Sequence, residues 1–153
     1  MRWVVLSLLV AVTTINYLDR LLLSVLSPVL RDYFHFNESL YGNISGIFQV
    51  AYAFGYLALG KLVDRYGTKA GLGIAAGVWS LASLMHATVT SAGQFGIWRG
   101  LLGLAEGANF PACAKAVAEW FPVEERAFAT GYLGAVAIHS RTFGDFQQIG
   151  QMA

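Results

Sequence analysis

The sequence predicts an all-α integral membrane protein, because its composition is apolar and its apolar runs have the length of membrane helices. Of the 153 residues, 56% are hydrophobic and 12% are charged, against roughly 25% charged residues in a soluble domain. A membrane-spanning helix needs roughly 20 predominantly apolar residues. Runs close to that length cover about residues 3–27, 41–60, 70–89 and 95–113, and a partial fifth run starts near residue 127. We therefore expect four complete transmembrane helices and part of a fifth.

The first run begins at the N-terminus, as a signal peptide does. Met1 and Arg2 precede it, but the run is longer than the core of a signal peptide, about 7–15 residues, and no small-residue cleavage site interrupts it. We therefore interpret the run as a transmembrane helix that stays in the protein. Pro28 is expected to end that helix.

The composition also excludes several classes of protein. The net charge is +1, so no basic surface indicates a nucleic acid as partner. The single cysteine, Cys113, allows no disulfide framework. No spacing of possible ligands indicates a metal site, and no motif indicates a cofactor. An enzyme that uses His86 and Glu106 is the weakest alternative, because no nucleophile–base pair accompanies them.

The second half of the first run carries polar residues at helical spacing. Asn16, Asp19 and Arg20 recur at steps of three and four, which places them on one face of a helix. Asp19 and Arg20 either face a polar cavity or mark a helix end from which they reach the membrane interface. The apolar residues that follow them favour the cavity.

The fourth run has two charged residues in its interior. Arg99 and Glu106 are seven positions apart, which places them on one helix face. An ionisable side chain at bilayer depth costs on the order of 3 kcal/mol, so it normally faces a polar cavity or a partner. We expect a substrate or proton site here, with a structural interhelical pair as the alternative. A stripe of small residues is expected on the other side of the helix, formed by Gly96, Gly100, Gly103 and Gly107.

Polar side chains also recur along the second run. The residues at helical spacing are Ser45, Gln49, Tyr52 and Tyr56. Such a face serves either helix packing or the lining of a cavity, and the charges of the first and fourth runs favour the cavity. Asn37 or Ser39 is the expected N-cap of this helix.

The segment 60–69 sets the orientation of the chain. It contains three basic residues, whereas the connector 90–94 has none, so the positive-inside rule places this loop and the N-terminus in the cytoplasm. Two glycines bracket the charged turn and allow a tight reversal between two helices.

Three motifs together resemble one family of transporters. They are NYLDR at 16–20, GKLVDRYGTK at 60–69 and RGLLGLAEGANFPA at 99–112. The sequence resembles the major facilitator superfamily and, within it, the anion:cation symporters of hexuronates, galactonate and glucarate. The resemblance covers about residues 3–131. It implies the N-terminal part of a helical bundle in the inner (plasma) membrane, which carries small organic anions such as sugar acids together with H⁺ or Na⁺.

The resemblance also implies roles for particular residues. Substrate binding is expected of Tyr17, Arg20, Gln49, Tyr52, Arg99 and Asn109. Proton coupling is expected of Asp19 and Glu106, and a cytoplasmic gate of Gly60, Asp64, Arg65, Gly67, Lys69, Glu119 and Arg126. Arg suits the binding of a carboxylate because its planar fork forms two hydrogen bonds at once.

Full members of the family have two halves of six helices with the site between them, and this chain is shorter. We expect residues 1–131 to form N-terminal transmembrane helices and 132–153 to be an atypical polar tail produced by truncation or a frameshift. One alternative is a membrane interaction fragment that does not transport and pairs with a separately encoded remainder. Another is a transporter of a different substrate class.

Overall fold

The computed structural model describes the backbone of residues 1–34 and 37–152, and the side chains in those ranges except at 22–24, 27, 31, 38, 137 and 139–152. The described backbone is helical, without a strand. The helices are α1 (Arg2–Phe34), α2 (Glu38–Tyr66), α3 (Thr68–Met85), α4 (Ala92–Glu106), α5 (Asn109–Trp120) and α6 (Val123–Met152), and a short 3₁₀ turn (His86–Thr88) follows α3. The predicted all-α fold is confirmed.

Three of these helices are long and apolar enough to cross a membrane, over Arg2–Leu21, Ser39–Tyr66 and Thr68–Thr88. The chain divides into two compact units, each described by itself below. The first unit contains Met1–Ser27 and Cys113–Ala153, and the second contains Pro28–Ala112.

In the second unit, α4 packs against both α2 and α3. Its buried apolar side chains include Phe48 and Val63 of α2, Trp79 of α3 and Leu102 of α4. The turn from α2 to α3 is a single residue, Gly67, whose φ of +84° is a conformation that side chains other than glycine rarely adopt. This tight reversal places α2 and α3 next to each other, and both pack against α4.

The first unit joins the start of α1 to the region where α5 ends and α6 begins. The Trp3 ring meets Phe121 and Phe128 edge-on, with ring centroids 5.8 Å and 6.2 Å apart. An ion pair between Arg2 and Glu125, at 3.0 Å, lies beside this aromatic contact. Apolar packing and one ion pair therefore fix the first turn of α1.

The beginnings and ends of several helices differ from the sequence prediction. Asn37 is the N-cap of α2, as predicted, and its side chain accepts a hydrogen bond from the Leu40 N–H. The expected end of the first helix at Pro28 is wrong, because α1 continues through this proline to Phe34. Membrane helices tolerate proline where other groups satisfy the freed carbonyl. The α2 helix also extends to Tyr66, through most of the segment that was expected to form a loop.

The fourth apolar run is not one helix. The α4 helix ends at Glu106 and α5 begins at Asn109. Pro111 explains the break, because it has no N–H to donate to the carbonyl of Gly107 and its ring would clash with that carbonyl. Hydropathy continues through this point, so the apolar run gave no sign of the break.

The α6 helix begins at Val123, before the predicted start of the fifth run at 127, and continues to Met152. The predicted boundary between residues 131 and 132 lies inside this helix. The side chains of 139–153 lie outside the described residues, so the interpretation of the polar tail stays a prediction.

Candidate functional site

The two charged residues of α4 are both buried. Arg99 is 5% exposed and Glu106 is fully buried. They are seven positions apart on the helix, which is about 10 Å along the axis. Charged side chains are almost never fully buried unless they have a partner, so this pair distinguishes α4 from an ordinary packing helix.

Arg99 lies against an aromatic side chain of α2. Its guanidinium carbon is 4.6 Å from the centroid of the Phe48 ring, well within the range of a cation–π interaction. The Phe48 ring in turn stacks on Tyr52, with centroids 6.3 Å apart and an interplanar angle of 21°. The guanidinium and two aromatic rings thus form a column across the α2–α4 contact, and Tyr52 is the predicted binding residue that this column includes.

The glycines of α4 form the contact with α2. A Cβ atom added to Gly103 would lie 2.6 Å from the Phe48 carbonyl oxygen, and one added to Gly107 would lie 2.6 Å from the Tyr52 carbonyl oxygen. Real Cβ atoms essentially never come so close, so the two backbones approach to a distance that only glycine permits. The predicted small-residue stripe is confirmed as a helix contact.

The position of that stripe corrects one expectation. The glycines were expected on the side of the helix opposite Arg99 and Glu106. At about 100° per residue, however, the two faces are neighbours, and both Arg99 and Gly103 contact Phe48. The close approach of the backbones therefore also sets the position of Phe48 beneath the guanidinium.

The other predicted binding residues of this unit differ in their exposure. Asn109, which begins α5, is 2% exposed, and Tyr52 is half-buried. Gln49 is exposed on α2, so the second unit does not enclose it with Arg99. A role for Gln49 in binding stays a prediction.

The predicted site residues of the first unit lie on α1. Tyr17 is buried, whereas Asp19 and Arg20 are half-buried. The Arg20 guanidinium carbon is 5.7 Å from the centroid of the Tyr17 ring, so this unit also contains a cation–π pair. Because α1 continues to Phe34, Asp19 and Arg20 do not mark the end of a helix. The apolar span of α1 ends at Leu21, so their placement in a polar cavity stays a prediction.

The residues of the predicted gate fall into two clusters. In the second unit, Asp64, Arg65 and Lys69 are exposed around the Gly67 turn, and a Cβ atom on Gly60 would contact Pro111 at 3.5 Å. This cluster therefore borders the one-residue reversal between α2 and α3.

In the first unit, the gate residues Glu119 and Arg126 lie at opposite ends of the α5–α6 turn. Glu119 pairs with Lys115 at 3.9 Å on the same helix. Arg126 donates to the backbone carbonyls of Ala118 (2.6 Å) and Phe121 (3.0 Å). Arg126 therefore satisfies carbonyls that the end of α5 leaves without helical partners.

The contacts of Arg2 and Trp3 were not predicted from the sequence. Both were interpreted only as the start of an apolar run, whereas Arg2 pairs with Glu125 and Trp3 packs on Phe121. Periodicity reports only neighbours on the same helix. The basic and aromatic character of these two residues was the only available signal.

Buried ionisable residues inside a unit of apolar helices are typical of polytopic membrane proteins, in which they mark functional sites. Residues 9–144 match the family model of the Major Facilitator Superfamily. The chain belongs to this superfamily. The match continues past residue 131, where the resemblance was expected to end.

Several curated relatives are named as transporters of sugar acids. The chain is 33% identical to the galacturonate transporter of Dickeya chrysanthemi over 86% of its own length and 38% of the relative's. It is 33% identical to the hexuronate transporter of Escherichia coli K12 (86% of this chain, 31% of the relative). It is 36% identical to a probable galactarate/D-glucarate transporter of Pseudomonas putida (84% and 30%).

The chain spans about a third of the length of these relatives. The family and the named relatives are transporters and not enzymes, which excludes the enzyme alternative. The prediction of a membrane transporter family is therefore confirmed, and the substrate and the coupling ion are matters of proposal.

Proposed function

We propose that this chain supplies N-terminal helices of a proton-coupled symporter of organic anions, with hexuronates and related sugar acids as substrates. The observation that carries the proposal is that α4 buries both Arg99 and Glu106. Arg99 packs against Phe48 of α2. A transporter of sugar acids needs a cation for the carboxylate and a group that carries the proton. The names of the relatives support the substrate class.

In this proposal Arg20 of the first unit and Arg99 of the second unit are each assigned to carboxylate binding. A guanidinium donates two parallel hydrogen bonds to a carboxylate, which fixes its orientation as well as neutralising its charge. Each of the two, Arg20 and Arg99, rests against an aromatic ring. Sugar hydroxyls would be bound by Tyr17 in the first unit and by Gln49, Tyr52 and Asn109 in the second.

Proton coupling is assigned to Glu106 and Asp19. Burial and a neighbouring cation act in opposite directions on the proton affinity of a carboxyl group. A substrate carboxylate that occupies an arginine changes the charge beside such a group, and so links substrate binding to proton binding. Coupling to Na⁺ is the alternative, and the same carboxylates would then bind the metal ion as cargo.

The proposal places the N-terminus and the α2–α3 turn in the cytoplasm and the chain in the inner (plasma) membrane. The basic residues around Gly67, which are Lys61, Arg65 and Lys69, favour this side by the positive-inside rule. Each of the two gate clusters is assigned to the cytoplasmic gate in this proposal.

The test is uptake of radiolabelled glucuronate and galacturonate by bacteria that lack their own hexuronate transport. The protein encoded by the complete reading frame and the 153-residue chain are expressed side by side. We expect uptake that a protonophore abolishes and that removal of Na⁺ leaves unchanged. Uptake that requires Na⁺ would contradict proton coupling, and absence of sugar-acid uptake with membrane-inserted protein would contradict the substrate class.

A second candidate is a membrane interaction fragment that pairs with a separately encoded remainder of a transporter. Affinity purification of the chain from its native membrane separates the two readings, because this candidate requires a stoichiometric polytopic partner and the first does not.

A further inference from the structure

Asn16 is a buried polar residue to which the mechanism above assigns no role. It lies on α1 within the apolar span Arg2–Leu21, and only 3% of its surface is exposed. Its amide nitrogen Nδ2 is inaccessible and has no hydrogen-bond partner. An amide without a partner in an apolar environment destabilises the folded protein, so its presence in a membrane helix calls for an explanation.

Three hydroxyl groups on the same helix, in contrast, have partners. Ser7 donates to the Trp3 carbonyl at 3.0 Å and Thr14 donates to the Val10 carbonyl at 2.8 Å. Thr13 lies 3.7 Å from the Cys113 sulfur atom. The helix backbone or a neighbouring side chain therefore satisfies each of these three hydroxyl groups, whereas the Asn16 amide nitrogen has no acceptor.

The position of Asn16 connects it to the arginine of the first unit. Asn16 and Arg20 are four residues apart, so they occupy the same helix face one turn apart. Tyr17, which contacts the Arg20 guanidinium, is the next residue along the chain. A substrate that binds Arg20 on this face would lie about one helical turn from the Asn16 amide, which is inaccessible in the unliganded protein.

We propose that Asn16 is a further substrate-binding residue, whose amide N–H groups donate to an oxygen atom of the sugar acid held by Arg20. This inference rests on the function proposed above. Binding of the substrate supplies the acceptor that the amide lacks, so the hydrogen bond forms only in the loaded protein. Arg20 recognises the charge of the carboxylate. The Asn16 amide adds a donor for a hydroxyl or carboxylate oxygen, and the helix fixes the position of this donor relative to Arg20.

The test compares substrate affinity with thermal stability in the protein encoded by the complete reading frame, purified in lipid nanodiscs. The variants are Asn16→Leu, which has similar size and no donor, and Asn16→Asp, which keeps the shape and lacks the N–H groups. Thr14→Val is the matched control, because that hydroxyl is satisfied within the helix. The probes are radiolabelled glucuronate and galacturonate.

We expect Asn16→Leu to raise the Kd by about tenfold, which corresponds to the loss of one hydrogen bond, without lowering the melting temperature. Asn16→Asp should raise the Kd at least as much, and Thr14→Val should leave it unchanged. An unchanged Kd in Asn16→Leu, or in Asn16→Asp if the leucine variant does not fold, would overturn the inference. A lower melting temperature with unchanged affinity would instead assign the amide a structural partner.

Failure of the proposed function is recognisable without any variant. If the unmodified protein binds neither sugar acid, the substrate class is wrong and the inference about Asn16 is rejected with it. If the unmodified protein binds and the Asn16 variants bind equally well, only the inference about Asn16 is rejected.

Discussion

The guanidinium carbon of Arg99 lies 4.6 Å from the centroid of the Phe48 ring, across the contact between α4 and α2. This contact packs a buried cation against an aromatic ring of the neighbouring helix. A side chain that is held in its binding geometry before the ligand arrives loses less conformational entropy on binding. The pairing therefore makes Phe48 a positioning residue for the proposed carboxylate site.

Replacement of Phe48 by Leu should weaken the binding of glucuronate. Leucine fills part of the space but has no ring for the cation, so we expect the Kd to rise about three- to tenfold, the range of a cation–π contact. Phe54→Leu on the same helix is the control, because Phe54 is 66% exposed. Equal affinities for the two variants would show that the ring does not position Arg99.

Replacement of Arg99 by Lys should weaken binding more strongly, by at least about tenfold, because an ammonium group cannot form the bidentate pair with a carboxylate. Equilibrium binding of radiolabelled glucuronate measures the effect. Arg2→Lys is the control, because Arg2 is exposed and lysine keeps the charge that pairs with Glu125. Unchanged affinity in Arg99→Lys would leave Arg99 with a structural role only.

Replacement of Glu106 by Gln should separate transport from coupling. The amide retains the size of the buried side chain but cannot carry a proton. We expect proton-driven accumulation of substrate to be abolished while counterflow, which needs no net proton movement, remains measurable. Accumulation at the level of the unmodified protein would refute the coupling role of Glu106.

Replacement of Gly103 by Ala should destabilise the second unit. The new Cβ atom would lie 2.6 Å from the Phe48 carbonyl oxygen, so α2 and α4 must move apart, and overpacking of this kind costs about 1–3 kcal/mol. Gly77→Ala on α3 is the matched control, since nothing lies within 4 Å of the corresponding position.

The control variant should raise the free energy of unfolding by roughly 0.5–1 kcal/mol, because alanine favours the helix over glycine. Thermal unfolding in detergent measures both variants. If Gly103→Ala is as stable as Gly77→Ala, the α2–α4 contact is looser than the structure indicates.

The features that the sequence predicted well are local or follow from the cost of burial. Asn37 is a cap because its side chain bonds a backbone N–H three residues ahead, which involves only neighbouring residues. The burial of Arg99 and Glu106 was expected because their positions lie inside an apolar run. The glycines of α4 were expected to form a helix contact because of their spacing alone.

The features that could not be predicted from the sequence depend on distant residues or on competing local effects. Nothing near Arg99 in the sequence points to Phe48, and nothing near Trp3 points to Phe121, since each pair joins separate helices. Pro28 and Pro111 show the limits of a local rule. The first lies inside a continuous helix, whereas the second follows a helix break.

The central claim is that sugar-acid movement and proton movement are coupled through Glu106. The most direct measurement uses proteoliposomes that contain the protein encoded by the complete reading frame and an internal pH dye. The account predicts that glucuronate added outside acidifies the interior, and that Glu106→Gln abolishes the acidification while counterflow persists. Glucuronate entry without any pH change in the unmodified protein would contradict the claim.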